Sequence, residues 1–312
     1  MKKINKKCSL FPFEREEVLS IQEAMQRAGW SISHFDLPSV WAKSKGEGVK
    51  IAVLDTGVDL DHPDLAKNLL PGVNFVNPGK PPHDDNQHGT HVAGIIAAEN
   101  NQIGMVGVAP EAKIIPVKVL DKRGAGNLVN VAKGIRWAAD EGGADLICMS
   151  LGSPNPVQEV RKAIQHAQSK GVVCFVAAGN SGRTKNLFYP AEYPETVAIG
   201  SIDENLGRSS FSNTGENLDF MAPGGKILST VPDNWYAVLS GTSMAAPFAT
   251  GVAALVLSCL RKKGVRAPRT ADDYIKIFKG HTMPITNQDL KDKKFYQGFG
   301  IVEPKKLFEA LG

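Results

Sequence analysis

Three histidines and two aspartates fall within nine residues of the stretch HDDNQHGTH, at positions 83–91. The whole chain has only 7 histidines, so this density is unusual. A histidine cluster can bind a metal ion, and a single histidine can act as the general base that activates a nucleophile. Two residues elsewhere fit the second chemistry. Ser243 begins a helical pattern and could be the nucleophile, and Asp55 ends an apolar run and could orient the base.

A metal site is the first alternative for this cluster. His88 and His91 lie three positions apart on one helical pattern, and His83 could join them. Zinc sites also need a fixed third or fourth ligand and groups that orient the ligands, which makes a metal the weaker interpretation. We expect His88 to be the base, His91 to pack half-buried against Ile95, and His83 to lie exposed in a loop. The effect of the neighbouring aspartates on His88 stays open.

Helix N-termini would favour the chemistry of both candidate groups. The positive end of a helix dipole favours the neutral ring of His88, which is the form that a general base needs. Backbone N–H groups beside Ser243 could hold a developing oxyanion, and the side-chain amide of Asn180 could supply a second donor. We expect Gly89 and Gly241 to let the backbone approach a substrate closely.

The elements that must position these residues alternate along the chain. We predict strands at 49–55, 112–120, 144–152, 172–180 and 195–202, and helices at 88–99, 127–141, 156–171 and 242–263. Such alternation predicts a three-layer α/β fold, in which a mostly parallel sheet has helices on both faces. Ligands of these sheets bind beyond the carboxyl ends of the strands, where Asp55, Ser150 and Asn180 fall.

Composition limits the partners and the location of the protein. The 312 residues are 42% hydrophobic with a net charge of +4, a surplus too mild to predict nucleic-acid binding. No secretory h-region follows the basic N-terminus and no run of about 18 apolar residues occurs, so we expect neither export nor a membrane span. The 4 cysteines are widely spaced, which indicates reduced thiols and favours the cytoplasm.

Four stretches resemble the motifs of the subtilases, the family of subtilisin-like serine proteases. They are DTGVDLDHPDL, HGTHVAGIIAAENN, AAGNSG and GTSMAAP, in this order, and the resemblance covers roughly residues 38–312. It implies that Asp55, His88 and Ser243 form a catalytic triad and that Asn180 is the oxyanion-hole amide. The implied activity is a serine endopeptidase that hydrolyses polypeptide substrates. A metal-dependent hydrolase and a non-enzymatic module with the same fold are the competing interpretations.

The resemblance also implies a substrate cleft. The segments KRGAGNL and SLGS would pair with an extended peptide, and the implied cleft residues are Gly124, Gly126, Leu128, Val131, Ser150, Leu151, Gly152, Ala177 and Ala178. No acidic residue stands in these motifs, so we expect no strong preference for a basic P1 residue, the residue before the cleaved bond. Phe188 stands where the family commonly has a small residue. We expect it to shorten the first pocket and to disfavour large aromatic P1 residues.

The stretch AENNQIGM, at 98–105, implies a calcium site through the same resemblance. The ligands would be Asp64, the side chain of Asn101 and the backbone carbonyls of Glu99, Ile103 and Met105. One further ligand would come from the N-terminal segment, where we assign no residue. A plain surface loop is the alternative. No organic cofactor is expected.

Residues 1–35 are predicted to form a separate N-terminal extension, here called the arm, ahead of a catalytic domain at 36–312. Its stretch REEVLSIQEAMQRAG has a helical pattern, and LFPFE resembles the LIPY-type motif of the intracellular subtilisins. In that subgroup such an extension lies across the active site and inhibits until it is removed. We therefore expect Leu10, Phe11 and Phe13 to fill pockets and Pro12 to kink the backbone, which would hold the bond away from Ser243. An arm that only packs on the surface is the alternative.

Known members of the subgroup are dimers, but the sequence does not test whether this chain forms a homodimer.

Overall fold

A computed structural model describes residues 7–19, 26–182, 186–286 and 293–312 of the chain. The strands in this part of the chain are β1 (Lys7–Leu10), β2 (Glu14–Leu19), β3 (Lys50–Asp55), β4 (Val73–Asn74), β5 (Lys113–Lys118), β6 (Ala125–Asn127), β7 (Leu146–Met149), β8 (Leu151–Gly152), β9 (Val173–Ala177), β10 (Thr196–Ile202), β11 (Phe220–Pro223), β12 (Ile227–Val231), β13 (Trp235–Ser240), β14 (Thr282–Met283) and β15 (Ile301–Val302). The helices are α1 (Trp30–His34), α2 (Leu37–Trp41), α3 (His88–Ala97), α4 (Leu128–Asp140), α5 (Gln158–Ser169), α6 (Thr242–Lys262), α7 (Ala271–Lys279), α8 (Lys293–Gln297) and α9 (Pro304–Leu311).

The central sheet contains nine of the described strands, in the order β14-β15-β11-β10-β9-β7-β3-β5-β4. Every neighbouring pair from β15 to β4 is parallel, and only β14 runs antiparallel to its neighbour. The strands β7, β9 and β10 are buried along their whole length, as expected for strands with helices on both faces. All five predicted strands are confirmed within this sheet, as β3, β5, β7, β9 and β10.

The helices pack in two groups, α3 with α6 and α4 with α5, and both groups contact strands of the central sheet. The four predicted helices are confirmed as α3, α4, α5 and α6. Together with the sheet they form the expected three-layer α/β fold.

Helix α6 is buried from Thr242 to Leu260, which is nearly its whole length. Its length and its mean hydropathy of 1.8 would allow it to cross a membrane, but its apolar window is 100% buried inside the protein. The central helix of a globular core passes the same test, and the packing of α6 against α3 and the sheet gives it that role. Its first residues therefore have a fixed position at the carboxyl edge of the sheet.

The arm adds two strands outside the central sheet. β1 lies between β6 and β8 in a three-stranded sheet, and β2 extends the hairpin of β12 and β13 in another. The helix predicted at residues 15–29 is wrong for residues 15–19, which belong to β2, and for residues 26–29, where Arg27 forms an isolated bridge with Met105. The physical reason is non-local, because the edge of β13 offers hydrogen-bonding groups that a short charged segment can pair with. Residues 20–25 of that predicted helix lie outside the described residues.

Candidate active site

Asp55 and His88 meet at the carboxyl edge of the central sheet. Asp55 ends β3 and His88 begins α3. Nδ1 of His88 lies 2.9 Å from Oδ1 and 3.0 Å from Oδ2 of Asp55, and both side chains are 0% exposed. The backbone N–H of Thr56 also donates to Asp55 Oδ1, at 2.7 Å. A buried carboxylate at Nδ1 fixes the ring and leaves Nε2 as the nitrogen that can accept a proton.

Two glycines allow parts of the site to lie close together, and the close approach of a substrate at these glycines stays a prediction. A Cβ on Gly89 would overlap the carbonyl oxygen of Gly57, so glycine allows the start of α3 to approach the end of β3. A Cβ on Gly241 would lie 2.9 Å from Nδ2 of Asn180. Glycine at position 89 thus allows His88 to lie close to Asp55, and glycine at position 241 leaves room for the amide of Asn180.

The loop before α3 is held by Asp84, whose carboxylate is almost fully buried. Its Oδ1 accepts hydrogen bonds from the Thr56 hydroxyl and from the backbone N–H groups of Asn86 and Gln87. Its Oδ2 accepts from the N–H and the hydroxyl of Thr90, at 2.9 Å and 2.6 Å. Asp84 therefore ties the end of β3 to the first turn of α3 and positions the base and its carboxylate.

The other histidines of the cluster have different surroundings. His91 is fully buried rather than half-buried, and its Nε2 lies 3.0 Å from the carbonyl oxygen of Ala237. Burial lowers the pKa of His91 to about 3, so its ring is neutral at ordinary pH. His83 is exposed, as predicted. Among the described residues, no group of three or more His, Cys, Asp or Glu side chains could hold a metal ion.

Ser243 is the second residue of α6, and Ser150 fixes its surroundings. The Ser150 hydroxyl donates to the carbonyl of Ser243, at 2.9 Å. That carbonyl needs a donor because Pro247, four residues later, has no N–H. The hydroxyl of Ser243 in turn donates to the carbonyl of Ser150, at 3.3 Å. Sequence reasoning placed Ser150 only in the pocket wall and missed this contact with the nucleophile candidate.

The base and the nucleophile candidate are not hydrogen-bonded to each other. Nε2 of His88 is buried and has no hydrogen-bond partner among the described residues. The ring of Phe13, from the arm, packs against the ring of His88 with centroids 5.2 Å apart. A side chain of the arm thus lies against the ring of His88.

Asn180 is oriented by the residue that precedes Ser243. Its Oδ1 accepts from the N–H and the hydroxyl of Thr242, at 2.9 Å and 2.6 Å. These two bonds leave Nδ2 directed away from α6, where it donates to the carbonyl oxygen of Pro12 at 2.7 Å. The amide therefore already binds a peptide carbonyl, which is the group that an oxyanion hole must recognise.

The arm strand β1 lies between the two segments that were predicted to bind a peptide. It runs antiparallel to both, with Cys8 opposite Gly126 and Ser9 opposite Gly152. The N–H of Leu10 also donates to the carbonyl of Gly124, at 2.9 Å. Three further predicted cleft residues, Leu128, Val131 and Ala177, are buried, and their role in the cleft stays a prediction. The predicted cleft is thus assembled around a segment of the chain itself, with Leu151 opposite Leu10.

Phe11 fills the pocket that follows β1 and is only 2% exposed. Its ring lies 5.4 Å from the ring of Phe188, and a Cβ on Gly152 would lie 2.6 Å from its Cζ. The N–H of Phe188 donates to the carbonyl of Ala178, at 3.0 Å, which holds Phe188 beside the pocket. The ring of Phe188 thus forms part of the wall against which the phenyl ring of Phe11 packs. The expectation that Phe188 disfavours large aromatic P1 residues stays a prediction.

A family model described as the Subtilase family matches residues 46–300, a range that includes Asp55, His88, Asn180 and Ser243. The chain belongs to the subtilase family. An intracellular serine protease of Paenibacillus polymyxa is 39% identical over 292 residues, which cover 91% of this chain and 88% of the relative. The M-protease of Shouchella clausii (strain KSM-K16) is 46% identical over 243 residues, covering 77% of this chain and 62% of the relative. Subtilisin Savinase of Lederbergia lenta is 47% identical over 233 residues, covering 74% and 84%. The chain is thus a subtilisin-like serine endopeptidase.

The predicted cation loop of this subtilase surrounds the carboxylate of Asp64, which is fully buried. Asp64 accepts hydrogen bonds from the amide of Asn101 at 3.0 Å, from the N–H of Met105 at 3.0 Å and from the hydroxyl of Tyr236 at 2.9 Å. All three donors are neutral. A buried carboxylate with neutral partners is a suitable ligand for a hard cation.

Gln26 adds an amide to this loop, which sequence reasoning missed because no local pattern marks it. Its Nε2 donates to the carbonyl oxygens of Glu99 at 2.6 Å and Met105 at 3.1 Å, so two of the predicted carbonyl ligands converge. The amide oxygen of Asn101 accepts from the N–H of Ile103, at 3.1 Å. Turning the amides of Gln26 and Asn101 would present oxygens to a cation, and this donor set fits Ca²⁺.

Proposed function

We propose that Ser243, His88, Asp55 and Asn180 carry out peptide hydrolysis in this endopeptidase. The Ser243 hydroxyl attacks the carbonyl carbon of the cleaved bond while Nε2 of His88 takes its proton and then gives it to the leaving amine. Asp55 holds the ring and stabilises the imidazolium. The Asn180 amide and the N–H of Ser243 hold the oxyanion, and water hydrolyses the acyl-enzyme.

The arm is proposed to inhibit this site as a substrate-like strand that is bound out of register. The observation that carries the proposal is the hydrogen bond from Nδ2 of Asn180 to the carbonyl of Pro12. Phe11 fills the first pocket, so the peptide bond at the cleavage position is the one between Phe11 and Pro12. The carbonyl of that bond belongs to Phe11. The oxyanion-hole candidate holds the next carbonyl instead.

Two features of the arm support this interpretation. Pro12 has a fixed φ and no N–H, so it cannot continue the antiparallel pairing that β1 makes upstream. Phe13 packs on His88, whose Nε2 makes no hydrogen bond to Ser243. An arm held in this way occupies the pockets and separates the base from the nucleophile without being cut.

A structural Ca²⁺ and a cytoplasmic location complete the proposal. The carboxylate of Asp64, the amides of Gln26 and Asn101 and the carbonyls of Glu99, Ile103 and Met105 would hold the ion and stiffen the loop. The name of the Paenibacillus polymyxa relative supports an intracellular enzyme. The substrates would be polypeptides in the same compartment. A homodimer stays a prediction.

The test compares the full-length protein with a variant that lacks residues 1–20. We expect the shortened enzyme to hydrolyse a peptide substrate at once and the full-length protein to show a lag that ends when the arm is lost. Mass spectrometry along the time course would identify the shortened product. Ser243→Ala forms of both proteins give the background rate. Equal initial activity of the two active forms would contradict inhibition by the arm.

A further inference from the structure

The arm continues past the catalytic centre. After Phe13, strand β2 pairs antiparallel with β13, from Glu14 opposite Ser240 to Leu19 opposite Tyr236. β13 ends three residues before Ser243, so this pairing begins beside the nucleophile candidate. Counted from Phe11 as the P1 residue, Glu14–Leu19 are the third to eighth residues after the bond. A segment of the chain thus marks a strand-binding edge on the leaving-group side of the cleft.

The edge of β13 that β2 occupies would be open once the arm is removed. The opposite edge of β13 is already paired along its length with β12. Strand edges present unpaired N–H and C=O groups, and an extended peptide can add to such an edge through main-chain hydrogen bonds. A substrate that runs through the cleft in the direction of the arm would reach this edge directly after the cleaved bond.

We infer that the edge of β13 in the arm-free enzyme binds the leaving-group side of long, unfolded polypeptides as an added strand. This inference rests on the proposed function, because it takes the arm as a removable guide to the path of the substrate. The preferred substrates would be extended chains that continue for at least about six residues past the second residue after the cleaved bond, rather than short peptides. Main-chain pairing makes this selection tolerant of sequence.

One pocket along this path adds a side-chain preference. It has a volume of about 450 Å³ and is lined by Arg15 and Val18 of the arm and by the segments around Asp85 and Asp233. Asp85 bonds to Nζ of Lys118, at 2.7 Å, so its charge is largely compensated. Asp233 is exposed in the pocket wall, beside the exposed ring of Trp235. A basic side chain at the position of Arg15, the fourth residue after the bond, matches this wall.

The test uses the arm-free enzyme, which here means the form that begins at Gln26 and therefore lacks β1 and β2. This form keeps all nine described strands of the central sheet and the whole family match at 46–300. Two peptides share the same residues around the bond, but one ends two residues after it and the other continues for six more. We expect kcat/KM to be about tenfold higher for the long peptide, mainly through a lower KM.

N-methyl groups on the backbone of the long peptide provide the matched controls. Alternate residues of a strand direct their N–H groups to opposite sides, but the pairing of β2 with β13 shifts register at Glu16, so both sets are taken from positions after that residue. N-methylation of the set whose N–H groups face β13 should remove the gain, and N-methylation of the other set should leave it. Equal kcat/KM for the short and long peptides, or equal loss from both methylated sets, would overturn the inference alone. Failure to cleave any peptide would overturn the proposed function as well.

The pocket is tested by placing Arg or Glu at the fourth residue after the bond. We expect Arg to be preferred a few fold, and Asp233→Asn to remove most of that preference while cleavage of the short peptide stays unchanged. Asn suits this position because residue 233 has a φ of 67°. An unchanged Arg preference in the Asp233→Asn enzyme would exclude Asp233 as its source.

Discussion

The arm is held differently in the two halves of the cleft. Upstream of the catalytic centre, β1 is paired on both sides, and the following Phe11 is 2% exposed. Downstream, β2 forms the outer strand of its described sheet, and Val18 is 41% exposed. Because buried apolar surface supplies much of the binding free energy, the upstream half should hold the arm more tightly. The cleft thus recognises side chains before the cleaved bond and mainly the backbone after it.

The largest effect is expected from Ser243→Ala. This substitution leaves the arm bound in both halves of the cleft and removes the hydroxyl that attacks the substrate between them. Turnover should fall by at least about 10⁵-fold, since loss of the catalytic serine costs about 2 × 10⁶ in a subtilisin. The arm should also stay intact, which mass spectrometry after long incubation would report. Removal of the arm at the normal rate in this variant would mean that another group or another protease cuts it.

Asn180→Ala tests the group at the junction of the two halves. In the arm-free enzyme, kcat should fall about 10²–10³-fold, the range measured when the corresponding amide is removed from a subtilisin. KM should change little, because this amide acts on charge that develops in the transition state. A drop confined to KM would show that Asn180 only binds the peptide.

A direct comparison of the halves uses two changes in a synthetic peptide of residues 7–19, added to the arm-free enzyme as an inhibitor. Phe11→Ala should weaken inhibition by about 10–100-fold, because a fully buried phenyl ring is lost. Val18→Ala should change the inhibition constant by less than about threefold, because the Val18 side chain is already 41% exposed to water. Similar effects of the two substitutions would remove the distinction between the halves.

The smallest expected effect concerns Gln26, which follows the described arm strand β2 in the chain and contacts the cation loop. Calcium should raise the melting temperature of the enzyme by several degrees, at roughly 2–4 °C for each kcal/mol of stabilisation. Gln26→Ala should reduce this calcium-dependent shift, and Asp64→Asn should abolish it. Asp61→Asn, at an exposed carboxylate near Asp64, is the control that should keep the shift. A shift that is the same in all four proteins would place the calcium elsewhere.

The upstream half could be predicted from the sequence far better than the downstream half. LFPFE is a local motif whose apolar residues and proline already describe a bound strand, and Asp55, His88 and Ser243 stand at the ends of clear apolar patterns. EREEVL, in contrast, has the charges of a solvated helix. It forms a strand only because β13, about 220 residues later in the chain, offers an edge to it. A single-sequence pattern carries no signal for a pairing of that range.

The same reasoning explains which other contacts could not be predicted from the sequence. The contact of Phe188 with Phe11 depends on how two distant segments meet, and the family comparison at that position described only the size of the side chain. The bonds from Gln26 to the carbonyls of Glu99 and Met105 join residues more than 70 positions apart. Residue type and position along a strand predicted which groups can react. The side chains that line each pocket, in contrast, depend on contacts between segments that are far apart in the sequence.

The central claim is that the arm, bound in both halves of the cleft, keeps Ser243 from reacting. The most direct measurement is the rate at which a peptide phosphonate labels Ser243 in the full-length and arm-free proteins, followed by mass spectrometry of the intact chain and its peptides. We predict rapid labelling of Ser243 in the arm-free enzyme and labelling of the full-length protein only as the arm is lost. Equal labelling rates in the two proteins, or a label on a residue other than Ser243, would contradict the account.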